Sequence, residues 1–202
     1  MSRHTLKTAI AAATAGLVLM PGVAFAHPGH GSFTGFTQGF MHPLTGLDHI
    51  LAMVMVGMLA GRIGGRALWL VPASFVSIMA LGGLVGATGI GLPMIELGIG
   101  LSVVVLGGAV ALGFGLAVPA AMALVGLFAV FHGYAHGAEI PETVAGLDYG
   151  AGFVAATALL HATGLGLTAA IDRNAGKRAN LVFRIVGSLT AAAGTGIILG
   201  AM

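Results

Sequence analysis

Six apolar stretches of about 20 residues each, the length of helix that crosses the hydrocarbon core of a bilayer, dominate the chain. They cover roughly 37–60, 67–88, 93–114, 117–138, 147–171 and 181–201, with short glycine-rich connections between them. Within lipid every backbone polar group needs an internal partner, so runs of this length resolve as helices. The expected fold is all-α: a polytopic membrane protein with six transmembrane helices in one bundle and no second domain. The residues are 57% apolar and only 7% charged, against about 25% charged in a soluble domain. Each ionisable side chain therefore calls for a reason.

The first 26 residues read as a cleaved signal peptide. Arg3 and Lys7 give a basic start, "TAIAAATAGLVLM" is a short apolar core, Pro21-Gly22 breaks it, and Ala24-Phe25-Ala26 forms an A-x-A cleavage site. The alternative, a further transmembrane helix, would need a longer unbroken run. The expected domains are thus a leader over 1–26 and a six-helix transmembrane domain over 27–202. The full chain carries 8 basic and 6 acidic residues. Without Arg3 and Lys7 the balance is six against six, and no basic patch points to nucleic acid. With no cysteine, disulfides, thiolate metal sites and cysteine catalysis are excluded. No G-x-x-x-x-G-K-[ST] loop occurs, so no nucleotide partner is expected.

The remaining charges sort by side. Arg62 and Arg66 lie between the first two spans; Arg173, Lys177, Arg178 and Arg184 lie between or beside the last two. The positive-inside rule makes those connections cytoplasmic, which puts both mature termini outside the bacterial inner membrane, in the periplasm. An exported N-terminus agrees. Glu139, Glu142 and Asp148 gather on the outer side, and Glu96 lies just inside the outer end of the third span. Negative charge at an outer mouth concentrates cations, although Glu142 alone fits a solvated loop better.

Glycine spacings of the small-xxx-small kind occur at Gly57/Gly61, Gly82/Gly86, Gly133/Gly137 and Gly196/Gly200. Such spacings let helices in lipid approach closely. They are packing signals, and they leave a homo-oligomer open. Polar blocks on the leading span of each half, the first and the fourth, fit two inverted halves of three helices meeting near the midplane.

Those blocks are "HPLTGLDHILAM" and "FHGYAHGAE". Ionisable groups in a membrane cost several kcal/mol unless they face a partner or a watery path. Pro43 suits the first turn of a helix, which predicts a break at His42 with Phe33 to Met41 as a separate leading segment. His42 and His49, two turns apart, then share roughly one face. Asp48, about 100 degrees round from His49, either binds an ion directly or fixes the tautomer of His49. His132 and His136 stand one turn apart, a good bite for one metal ion. The expected metal set is His42, Asp48, His49, His132 and His136. Glu96 and Glu139 are expected to line the approach. His161 stands alone at mid-helix, where plain interhelical hydrogen bonding and a supporting part in the site are equally open. His27 and His30 belong to a solvent-side "HPGH" and fit weak capture at most.

Imidazole with carboxylate and no thiolate suits divalent Ni, Co, Zn, Cu or Fe. Met53, Met55 and Met58 do not keep to one face and are expected to serve packing. The two blocks together resemble the HupE/UreJ family of small nickel or cobalt permeases, a likeness that runs along essentially the whole chain. The resemblance implies secondary uptake of Ni²⁺, with Co²⁺ the near alternative, the ion being substrate rather than a prosthetic group. The larger nickel/cobalt transporter family has an H-x4-D-H block; here the gap holds one residue more. An enzyme is not expected: "HGYAH" has glycine where a zinc protease needs its glutamate, and Ser74, Ser77 and Ser102 have no histidine beside them in sequence. The alternative kept open is a haem- or metal-binding membrane redox or accessory protein with these histidines as axial ligands.

Overall fold

Gly46 divides the first apolar run. Helix α1 (Gly35–Thr45) and helix α2 (Leu47–Ile63) meet there at 83°. The computed structural model describes residues 35–140 and 146–201; the expected leader, His27, His30 and Glu142 lie outside the described residues. The break expected at His42 falls four residues later, and Pro43 lies inside α1 rather than opening a helix. So close to the end of a short helix, a proline forfeits one backbone bond and little more. Gly46, with φ −89° and ψ 121°, turns the chain instead. The Thr45 hydroxyl donates to the His42 carbonyl at 2.8 Å, satisfying one acceptor at the end of α1.

Helices α3 (Ala67–Gly86), α4 (Ile95–Leu112), α5 (Val118–Ala138), α6 (Gly146–Ala175) and α7 (Ala179–Ala201) follow, with a 3-10 turn at Gly176–Arg178 before the last. Among the described residues, four helical runs are long and apolar enough to cross a bilayer, or five with α1–α2 as one bent span. Gly146–Gly200 counts as a single run among them. Gly113 ends α4 at φ 64° with its amide donating to the Ala109 carbonyl, a left-handed cap that a side chain would oppose.

The helices alternate in direction. The end of α3 lies beside the end of α5, where Gly86 faces Tyr134 and Ala138, while Arg62 at the far end of α2 reaches Gly113, Asn180 and the Phe183 ring. Helix α2 is buried on nearly every side from Ala52 to Ala60, Met53, Met55 and Met58 included, because α3, α4 and α6 all pack round it. The methionines are core residues, as expected. Three glycine spacings act as expected too. Gly57 and Gly61 seat α2 on α6, and Gly82/Gly86 with Gly133/Gly137 bring α3 and α5 into backbone contact. Gly196 and Gly200 do not: each is exposed, with nothing within 4 Å of where a Cβ would stand.

Candidate metal centre

The 83° bend brings the end of α1 over the start of α2. His42 and His49 therefore meet the same site from two helices, not from one continuous helical face as their seven-residue spacing predicts. Helix α5 supplies His132 and His136 one turn apart, both buried. Consecutive imidazoles touch. Ring centroids lie 4.6 Å apart for His42 and His136, 4.4 Å for His136 and His49, and 4.8 Å for His49 and His132.

Local bonds orient these rings. Asp48 Oδ1 lies 2.9 Å from both the backbone nitrogen and Nδ1 of His49. An ionised carboxylate only accepts, so Nδ1 of His49 donates and its Nε2 carries the lone pair. That Nε2 faces Nε2 of His136 at 2.5 Å. On the other side of His136, Nδ1 lies 4.0 Å from Glu139 Oε2, and the same carboxylate oxygen is 3.7 Å from Nε2 of His42. One ligand atom each from His42, His136 and Glu139 falls within 4.8 Å of the others, a spacing that can hold a metal ion. Glu139, expected along the approach, thus stands within the cluster.

A polar cavity of about 260 Å³ opens onto these groups, and Glu96, exposed at the first turn of α4, forms part of its wall. Asp148 is exposed at the first turn of α6. His161 is buried in the middle of α6, outside the chain of touching imidazoles; its ring lies 5.2 Å from that of Phe75 on α3.

Three residues of the site were not singled out as partners by the sequence. The Tyr149 hydroxyl on α6 bonds Nδ1 of His42 at 2.9 Å. The Phe153 ring, one turn on, lies 4.1 Å from that of His136. Ser102 on α4 bonds Nε2 of His132 at 2.9 Å and lies 2.5 Å from the Ile99 carbonyl. Its hydroxyl proton goes to that carbonyl and its oxygen receives the imidazole N–H, so Ser102 holds a histidine in place and is not an activated nucleophile. All three come from helices remote in sequence and carry no local signal.

The family model described as HupE / UreJ protein matches residues 15–197. Protein HupE of Rhizobium leguminosarum bv. viciae is 44% identical over 188 residues, covering 93% of this chain and 96% of that protein. No solved structure matches the chain. This strongly apolar chain, all-helical among the described residues, with His42, His49, His132 and His136 gathered in one cluster and matched over nearly its whole length, belongs to the HupE/UreJ family.

Proposed function

We propose that this protein is a secondary permease that takes up a divalent transition-metal ion, nickel first and cobalt as the near alternative. The ion is held between the broken first span and α5. The observation that carries this reading is the facing of His49 Nε2 and His136 Nε2, with Asp48 behind the first ring and Glu139 and His42 beside the second. Imidazole and carboxylate donors suit borderline divalent ions, and the family's association with nickel and cobalt uptake narrows the choice. Asp48 acts through His49, fixing its tautomer and raising its basicity. His132 adds a buried imidazole one turn deeper. Glu96 draws cations toward the mouth. Transport needs a site weak enough to let go, so only some of these groups bind at once.

In this reading the leader is removed after Ala26, and α1–α2, α3, α4, α5, α6 and α7 are six spans of the bacterial inner membrane. The chain reverses at Gly176, whose φ is 50°. Basic residues at the Arg62 end face the cytoplasm and the histidine end faces outward. The pairing of helices supports two inverted halves. The first span packs on the fifth, the second on the fourth and the third on the sixth. Exchange of halves turns the first pairing into the second and the third into itself. A haem site fits less well, because the His49 and His136 rings, with centroids 4.4 Å apart, stand too close together to flank a macrocycle on its two faces.

Accumulation of radioactive nickel in cells expressing the protein, competed with Co, Zn and Cu, tests the proposal. H49A and H136A are each expected to lose at least about tenfold of uptake, in line with the loss of a ligand or its support, at unchanged expression. Normal uptake by both variants would overturn the shared site.

A further inference from the structure

The imidazole contacts of the outer cluster end at His132, and His161 on α6 is a further buried histidine. Because Ser102 accepts the His132 Nε2–H, Nδ1 of His132 holds a lone pair, and it is buried with no hydrogen-bond partner. The ring of Phe75, itself fully buried, lies 5.8 Å from that of His132 and 5.2 Å from that of His161.

His161 is 2% exposed, and neither of its ring nitrogens has a partner. Its register is fixed. Phe75 and Met79 are successive turns of α3, Thr157 and His161 successive turns of α6, and Thr157 Oγ1 lies against Met79 Sδ at 3.8 Å while Phe75 meets His161. Among such neighbours an apolar side chain of similar size would pack without stranding two polar atoms. An unpaired buried imidazole in an otherwise apolar wall is what a site for an arriving ligand looks like. The position is also deeper: His161 follows Tyr149, the partner of His42, by twelve residues of one helix, about 18 Å along its axis.

We infer that His161 is an inner station for the transported divalent cation, which passes to it from His132 beside the Phe75 ring. The inference rests on the outer site proposed above. A single imidazole completed by water binds such an ion weakly, and a weak second site is what lets an ion move on from a stronger first one.

The test compares H161F and H161Q with H49A in the full-length protein. Initial nickel uptake is followed against nickel concentration, and nickel binding to purified protein is measured by equilibrium dialysis. Both His161 variants are expected to keep KM and outer-site affinity within twofold of wild type, melt no lower, and lose at least tenfold in Vmax. Wild-type Vmax in H161F and H161Q, with H49A inactive, would remove the inner station and leave the outer site standing. Loss of nickel affinity or of folded protein in step with Vmax would make His161 a structural residue and likewise overturn the inference. Normal uptake by H49A would instead discard the outer site.

Discussion

Nε2 of His49 and Nε2 of His136 face each other at 2.5 Å across the α2–α5 boundary. With Asp48 accepting the Nδ1 proton of His49, the bare His49 Nε2 receives the Nε2–H of His136 there. A positive charge belongs between them: the His136 proton as the pair stands and, in the proposed function, the cation once the two rings part to admit it. Proton and metal then compete for one position.

That competition sets the sign of the pH response. A histidine binds metal only when neutral, and its ordinary pKa is about 6.5. Acidification adds protons to the ligands, so nickel uptake at constant free metal should fall as pH drops below about 6.5. Initial rates between pH 7.5 and 5 check it. A flat profile would mean that carboxylates carry the site alone.

Asp48→Asn separates charge from shape. The amide can still occupy the pocket, but it no longer takes the His49 Nδ1 proton as a carboxylate does. Uptake should drop by about 10- to 100-fold, the usual cost of removing a metal ligand's hydrogen-bond partner. The measurement is nickel accumulation at matched expression. If Asp48→Glu restores uptake and Asp48→Asn does not, the charge is what counts.

Gly46→Ala probes the break itself. Its backbone conformation tolerates alanine, but the new Cβ would stand 2.7 Å from Asp48 Oδ1 and 3.0 Å from His49 Nδ1. The variant should insert normally and lose about tenfold in uptake through the displaced pair, the lower end of the range for such partners. Unchanged uptake would show that the Asp48–His49 pair can shift without harm.

Two glycines of like spacing should behave oppositely. A Cβ at Gly137 would meet the Gly83 backbone carbonyl of α3, whereas at Gly196 it would meet nothing within 4 Å. Gly137→Ala should destabilise the protein by about 1–3 kcal/mol through overpacking. Gly196→Ala should change stability by less than about 0.5 kcal/mol. Melting temperatures of the purified variants in one detergent compare them directly.

The helices α3, α4 and α5 are legible in the sequence because length and apolarity alone define them. So is the one-turn pairing of His132 and His136, a property of a single helix. What the sequence hides is whatever depends on a bend or on a second helix. Gly46 rather than His42 makes the break, because a glycine between two helical stretches can turn where Pro43 need not. Glu139 joins His42 only after α1 folds over α2. Ser102, Tyr149 and Phe75 reach the histidines from other spans, with no spacing rule to announce them.

The pairing of the first span with α6 constrains how the protein is made. The chain emerges N-terminal end first, at about 5–20 residues per second, and about a hundred residues separate Gly46 from the first turn of α6. For several seconds the bent helix, with backbone groups opened at Gly46 and an aspartate and two histidines beside it, has no α6 to lie against. Irregular backbone in lipid must be sheltered by protein or water. The nascent chain therefore has to keep its bent first helix pair at the insertion machinery, or beside α3 and α4, until α6 arrives. A ribosome stalled before that point would leave the histidine-bearing end of the molecule as its least protected part.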